Sequence, residues 1–183
     1  MISLIKTLAM SIFTCAVAIF LVGCEPETVD KDALDTNMVK SADLKASVGA
    51  LPHKEIAQLR ASVAQYHRFE TAYAAGYQED VTGYVPHMGH HYLNAALLDD
   101  TFDVSAPEIL IYIPGPNGKL RFVGVEYAVV IDDMEDPYPA PEGFTGDADE
   151  WVINSRFEIW TLHAWVGLNN PDGIFAPLNQ RVP

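Results

Sequence analysis

The stretch EILIYIPGPNGKLRFVGVEYAVVI, residues 108–131, decides the fold of this chain. Its first six residues are mostly isoleucine and other apolar side chains, and they predict a strand over 108–113. Proline, glycine and asparagine dominate residues 114–118, where an Asn-Gly pair adopts positive φ at little cost. A returning strand is predicted over 120–131. Together these pieces predict the clearest β-hairpin in the chain.

The sequence on either side of the hairpin predicts an α+β domain. One long helix is predicted over Pro52–Tyr77, because apolar and aromatic residues recur there at steps of three and four. After an acidic loop over residues 132–150, a third strand is predicted over Phe157–Val166. A long N-terminal helix would pack on a curled antiparallel sheet, as in a cystatin-like or NTF2-like roll. The predicted helix face comprises Ile56, Leu59, Val63, Tyr66, Glu70, Tyr73 and Tyr77.

Composition and charge exclude several classes of protein. The 183 residues are 49% hydrophobic, which excludes a disordered chain and suits one globular domain. With 25 acidic and 11 basic residues the net charge is −14, which argues against binding nucleic acid through its phosphates. There is no G-x-S-x-G, P-loop, strand-linked G-x-G-x-x-G or C-x-x-C-H motif, so none of the corresponding activities is predicted.

The first 24 residues resemble a bacterial lipoprotein signal peptide. Lys6 precedes an apolar run over residues 8–22, which ends in Leu-Val-Gly-Cys24. The resemblance implies cleavage before Cys24 and lipid on its sulfur and amine, and so a membrane anchor. The alternative is an apolar segment that is retained as an anchor helix. Glu25, rather than aspartate, follows the cysteine, which resembles lipoproteins sorted to the outer membrane, facing the periplasm or the exterior.

The expected organisation therefore has three parts. Residues 1–23 are interpreted as the signal peptide, and residues 24–50 as the lipidated cysteine with an acidic tether. Residues 51–183 are interpreted as a single globular domain. The tether is acidic and poor in large apolar residues, so it cannot bury enough surface to offset its ordering entropy.

A histidine-rich segment and two strand positions are the candidates for chemistry. Four of the six residues over 87–92, HMGHHY, are His or Tyr. Strand alternation predicts that Phe122, Gly124, Glu126, Ala128 and Val130 share one face of their strand, and that Ile159, Thr161, His163 and Trp165 share one face of theirs. Glu126 and His163 would then lie among apolar neighbours, where a buried polar group needs a partner.

These side chains are expected to converge on one metal ion or small ligand. Imidazole and carboxylate together suit zinc, copper or non-haem iron, and zinc or copper is the expected cofactor. If His91 faces inward on a strand, His87 shares its direction and His90 faces out. Glu126 is either a ligand or the acceptor that orients an imidazole. The candidate metal ligands are His87, His90, His91, Glu126 and His163; Glu70 and Tyr92 are candidates for binding a small-molecule ligand.

Other functions fit the same residues. One is a purely structural polar network, and another is an enzyme in which His163 or His91 is the general base, oriented by Glu126. A third is an accessory lipoprotein whose surface, including the acidic loop, binds an envelope protein partner. Residues 146–150, GDADE, invite a calcium site but lack the glycine and distant glutamate of an EF-hand loop.

Eight short segments resemble an uncharacterised family of secreted bacterial proteins. The resemblance spans about residues 55–182 and implies a domain boundary rather than an activity. Three of the segments, His-His-Tyr, Leu-Ile-Tyr and Gly-Val-Glu-Tyr, are also similar to plant oil-body-associated proteins, which implies no role here. The segments are YH at 66–67, AGY at 75–77, MGHHY at 88–92, PEILIY at 107–112, VGVEY at 123–127, GFTGD at 143–147, LHAW at 162–165 and NPDG at 170–173.

Overall fold

Helices occupy the start of the part of the chain that the computed structural model describes, residues 52–183. Helix α1, His53–Val63, buries three residues at steps of three and four, Ile56, Leu59 and Val63. The predicted signal peptide, Cys24 and the acidic tether lie outside the described residues. Among residues 52–183, no helix is both long enough and apolar enough to cross a bilayer.

The helical region is not the single helix predicted over Pro52–Tyr77. A 3-10 turn, Ala64–His67, follows α1, and a short helix α2, Phe69–Ala74, follows extended Arg68. The carbonyl of Tyr66 accepts a hydrogen bond of 2.6 Å from the hydroxyl of Tyr112. This tertiary contact fixes the turn, and the weak helix propensity of Tyr-His favours it.

The interruption changes which side chains of the second helix face the core. Ala72 is the buried residue of α2, whereas Tyr73 is 50% exposed and Glu70 is also exposed. The prediction that Glu70 and Tyr73 share the buried face of α1 was therefore wrong, because the face does not continue through the break. Tyr77, beyond α2, is buried as predicted.

Within residues 52–183, six antiparallel strands form one open sheet with the order β1-β2-β3-β4-β6-β5. The predicted hairpin is confirmed as β3 and β4, with positive φ at Asn117 and Gly118 in its turn. Helices beside an antiparallel sheet confirm the α+β class. The strands are β1 Glu79–Asp80, β2 His90–Leu93, β3 Ile109–Pro114, β4 Leu120–Val130, β5 Val152–Asn154 and β6 Ile159–Ala164.

A β-bulge in β4 decides which face each of its residues occupies. Tyr112 pairs with Phe122 and the adjacent Ile111 pairs with Gly124, so Val123 is an extra residue in β4. The alternation predicted from Phe122 through Glu126 was consequently wrong at Phe122. Phe122 packs on the helix side, whereas Glu126 lies on the opposite face.

The two faces of the sheet carry different cores. The face toward the helices is apolar and aromatic. The opposite face carries smaller apolar clusters and the polar residues of the candidate site. The helix-side core includes Ile56, Leu59, Val63, Leu110, Tyr112, Phe122, Val125, Tyr127, Phe144 and Leu162, and the opposite face includes Ile109, Ile111, Ile113, Val123, Ala128, Ile159 and Trp165.

Candidate metal centre

Three strands bring together one side chain each on the face away from the helices. His91 lies on β2, Glu126 on β4 and His163 on β6, and Glu126 is the direct cross-strand partner of His163. The exposed fractions of His91, Glu126 and His163 are 2%, 7% and 6%. One ligand atom of each lies within 4.8 Å of those of the other two, so the group could hold a metal ion.

The hydrogen bonds around His91 determine which ring nitrogen is free. Its Nδ1 atom lies 2.9 Å from Oγ1 of Thr82, and the Thr82 hydroxyl donates to the carbonyl of Gly83 at 2.8 Å. Since that hydroxyl proton is already used, Oγ1 accepts from Nδ1–H of His91. The Nε2 lone pair is then free, and it faces Oε2 of Glu126 at 3.6 Å. That distance is too long for a hydrogen bond.

His163 carries a buried nitrogen without a partner. Its ring stacks on Trp165, with the centroids 5.6 Å apart and the planes at 14°, and stands perpendicular to the ring of His91. The Nε2 atom of His163 has no hydrogen-bond partner among the described residues. A buried polar atom without a partner typically costs about 1–3 kcal/mol. The Nε2 atom of His163 is therefore buried at a cost, while the stacking on Trp165 orients the ring.

Burial disfavours the charged forms of all three groups. Desolvation lowers the pKa of His91 to about 4 and the pKa of His163 to about 3. It raises the pKa of Glu126 to about 8. Without a cation the site is therefore uncharged at neutral pH, with both imidazoles unprotonated and the carboxyl protonated.

The three side chains line a cavity of about 430 Å³ on this face of the sheet. Its wall is mainly apolar and includes residues of β5 and of the loop that follows it. Such a cavity has the size and lining of small-molecule sites in proteins. The other residues that line it are Val81, Thr82, Met88, Leu93, Leu98, Ile109, Ala128, Val152, Ile153, Asn154, Ser155, Arg156, Phe157, Ile159, Thr161 and Pro177.

His87 does not belong to this site, contrary to the prediction. It precedes β2 in a turn in which Gly89 donates to the carbonyl of Val85, and its own φ is 64°. The predicted even spacing with His91 has no effect, because alternation holds only along a strand. The Nδ1 atom of His87 instead lies 3.0 Å from the carbonyl of Val182 near the C-terminus.

His90 points away from the site, as the alternation with His91 requires. Its Nδ1 atom forms a hydrogen bond of 2.8 Å with Oδ2 of Asp80 on β1, and its ring contacts Tyr84. The inclusion of His90 among the candidate metal ligands is therefore not supported by its position. The expectation that His91 faces inward and His90 outward agrees with the structure.

The two candidate ligand-binding residues also lie elsewhere. Tyr92 packs on the helix side, with its ring 4.7 Å from Phe69 and 5.7 Å from Tyr112, because it follows His91 on β2. Glu70 is exposed on α2. Neither lines the cavity of the His91, Glu126 and His163 group.

Two polar residues beside the strands of the sheet were not predicted from the sequence. Thr82 lies in the turn between β1 and β2, where no local pattern distinguishes it from other turn threonines. Glu108 is buried immediately before β3, and its Oε2 accepts a hydrogen bond of 2.9 Å from the backbone N–H of Ala128. Burial raises the pKa of Glu108 to about 7. The sequence feature that could have indicated Glu108 is a single acidic residue beside an isoleucine-rich strand.

Comparison with known proteins leaves the geometry of this site as the basis for inferring function. No family model matches the chain, and no curated protein or solved structure matches it either. The resemblance to secreted bacterial proteins therefore stays a prediction. The same holds for the cystatin-like or NTF2-like roll within the α+β class.

Proposed function

We propose that the protein binds a divalent transition metal ion, zinc or copper, through His91, Glu126 and His163. The observation that carries the proposal is the buried Nε2 atom of His163, which lacks a hydrogen-bond partner beside two further donor groups. A metal ion would provide the missing partner. Two imidazoles and one carboxylate form a donor set found in zinc enzymes and in other transition-metal proteins.

The spacing of the three groups favours a metal site over a structural polar network. In a self-satisfied network, His91 and Glu126 would approach to about 3 Å and share a proton. Their closest atoms are instead 3.6 Å apart. Ligand bonds of about 2.0–2.1 Å in a tetrahedral zinc site place ligand atoms roughly 3.3 Å apart. The observed separation is close to that value, and small side-chain rotations would bring in the third group.

The protonation states also suit a metal ion. Imidazole must be neutral to bind a metal, and burial keeps both His91 and His163 neutral at physiological pH. Glu126 would release its proton when the cation arrives, because the positive charge offsets the desolvation of the carboxylate. General-base catalysis without a metal is less well supported, since imidazoles with such low pKa values are weak bases at neutral pH.

Three protein ligands would leave a coordination position open toward the cavity. Structural zinc sites are usually closed by four protein ligands, whereas catalytic sites have three and one exchangeable position. A metal ion in such a site supplies Lewis acidity to a group that enters the open position. The arrangement therefore supports ligand binding or catalysis at the metal rather than a purely structural role.

Elemental analysis of the protein, purified without a His-tag, tests the metal proposal. We expect about one equivalent of zinc or copper, and a melting temperature about 5–10 °C higher with the metal than after chelation. His91→Ala and His163→Ala should each abolish this rise. His90→Ala is the matched control, because His90 is the neighbouring histidine and faces the other way. If wild type carries no metal and shows no rise with excess zinc or copper, the polar network is the correct interpretation.

We also propose that lipid on Cys24 anchors the domain to the outer membrane. Support comes from the order of charge, apolar run and Leu-Val-Gly-Cys in the sequence. Palmitate labelling of cells that express the wild type should mark the protein, and Cys24→Ala should abolish both labelling and processing. Labelling that persists in the variant would contradict the anchor.

If the protein binds no metal ion, the alternative function is that its surface binds an envelope protein partner.

A further inference from the structure

We infer that the cavity at the metal site binds a small monocarboxylate with an apolar body, whose carboxylate occupies the open metal position. This inference rests on the proposed metal site. It adds the chemical class of the molecule that the site takes.

The lining of the cavity has two parts, a polar base and an apolar wall. The base is formed by His91, Glu126 and His163, which come from the central strands of the sheet. Most of the remaining wall consists of apolar side chains, and half of its residues are aliphatic. A ligand that fills this space would therefore place apolar atoms along the wall and one donor group at the base. The larger aliphatic residues of the wall include Leu93, Leu98, Ile109, Ile153 and Ile159.

Exposed apolar residues extend the wall to the protein surface. Leu98, Val152 and Phe157 line the cavity and are 37%, 47% and 38% exposed. They are three of the seven large hydrophobic residues that are exposed within residues 52–183. Their grouping at one opening indicates a surface that an apolar molecule would remove from water. Isolated exposed apolar residues would carry no such meaning.

The charge of the loaded site complements one negative charge. Although the chain has 25 acidic residues, Glu126 is the only carboxylate among the described residues that line the cavity. A divalent ion with one carboxylate and two neutral imidazoles has a net charge of +1. Of the lining residues within 52–183, Arg156 is the only Lys or Arg, and its guanidinium lies over the ring of Phe157 at the opening. A monoanion would be attracted at the mouth and neutralised at the metal.

A carboxylate satisfies these requirements together. It carries one negative charge, and its oxygen atoms are good ligands for zinc and other divalent ions. A phosphate ester would bring a second charge into a largely apolar cavity with no further buried cation in its lining. The cavity volume of about 430 Å³ suits a small acid rather than a polypeptide segment.

Calorimetric titration of the zinc-loaded protein with octanoate tests the inference. Acetate supplies the same carboxylate without the apolar body, and octanol supplies the body without the charge. Each buried methylene group changes affinity roughly fourfold. Octanoate has six more methylene groups than acetate, so we expect it to bind about 4,000-fold more tightly when all six are buried, and to lose this affinity when zinc is removed by chelation. In protein loaded with cobalt instead of zinc, octanoate should shift the visible absorption bands of the metal.

Two surface variants separate the apolar wall from the metal. Leu98→Gln removes apolar surface from the mouth without adding a charge and should weaken octanoate binding about tenfold with unchanged zinc affinity. Leu178→Gln is the matched control, since Leu178 is similarly exposed, at 43%, and does not line the cavity. It should change neither affinity.

The outcomes distinguish this inference from the proposed function. Zinc binding without a preference for octanoate over acetate would overturn the inference and leave the metal site in place. Equal octanoate binding with and without zinc would also overturn it, because the metal would then not hold the carboxylate. Failure to bind zinc or copper at all would overturn both. A cobalt spectrum that does not respond to bound octanoate would contradict direct coordination.

Discussion

At the residue scale, the candidate site depends on which ring nitrogens of His91 and His163 are free to bind a metal ion. The Thr82 hydroxyl accepts from Nδ1 of His91, and that contact assigns the lone pair to Nε2. Trp165 holds the ring of His163 by stacking, without using its Nε2 atom. Both rings are thus oriented by groups that do not compete for the proposed ligand atoms. Outer contacts of this kind commonly tune metal affinity.

Replacing Thr82 tests this orientation. Thr82→Val removes the acceptor for Nδ1–H at nearly constant shape, so the imidazole loses its fixed tautomer. We expect zinc affinity to fall about 10–100-fold in a competition titration with a chromophoric chelator. Thr82→Ser keeps the hydroxyl and should retain most of the affinity. Equal losses in both variants would show that the methyl group, rather than the hydrogen bond, supports the site.

At the element scale, strands with regular alternation were predictable and the departures from regularity were not. The placement of Glu126 and His163 on one face follows from alternation along β4 and β6. The position of Phe122 does not, because the bulge at Val123 leaves no distinctive signal in an apolar run. The prediction for His87 failed for a related reason. His87 lies in a turn, so its even spacing from His91 does not place the two side chains on one face of a strand. The helix break after Val63 depends on Tyr112, which is distant in sequence.

Gly89 provides an element-scale test, because it fixes the turn that delivers His91. Its φ is +104°, and an added Cβ would lie 2.6 Å from the carbonyl oxygen of Tyr112 on β3. Gly89→Ala should therefore destabilise the protein by about 1–3 kcal/mol and also weaken zinc binding. The measurements are urea denaturation and the same competition titration.

Gly173→Ala is the matched control for Gly89→Ala. Gly173 also has positive φ, at +124°, but an added Cβ there would meet no atom within 4 Å. Gly173→Ala therefore introduces the backbone strain of a positive φ without a steric clash, at a position far from β2 in sequence. We expect a smaller loss of stability and unchanged zinc affinity. A comparable loss of zinc affinity in Gly173→Ala would contradict a specific role for the Gly89 turn.

At the scale of the whole molecule, buried titratable groups make stability depend on pH in two opposite ways. His91 and His163 have lowered pKa values, so the unfolded chain binds more protons below about pH 6.5 and acid destabilises the fold. Glu108 and Glu126 have raised pKa values, so the folded chain binds more protons from about pH 4.5 upward. The stability that these two acids contribute is lost as the pH rises through about 7 and 8.

The metal-free protein should therefore be most stable in mildly acidic solution. Between about pH 4.5 and 6.5 the effect of the two histidines on stability opposes that of the two acids. Above that range, only the two acids still make stability depend on pH. We expect the free energy of unfolding to fall by about 2 kcal/mol between pH 6.5 and 8, measured by urea denaturation in chelator. Glu126→Gln should remove most of this fall, and zinc should reverse it in wild type alone. A stability that rises through this range would contradict the buried, protonated state of Glu126.

The bulge at Val123 changes what a one-codon deletion would do to the protein. In a regular β4, Phe122 and Glu126, four residues apart, would point to the same side, so the strand could fill the helix-side core or supply the carboxylate, but not both. Deletion of Val123 would leave them three residues apart, and a regular strand would then again place them on opposite faces. The bulge therefore accommodates one additional codon in β4, and losing that codon together with the bulge would leave both the packing and the proposed ligands in place.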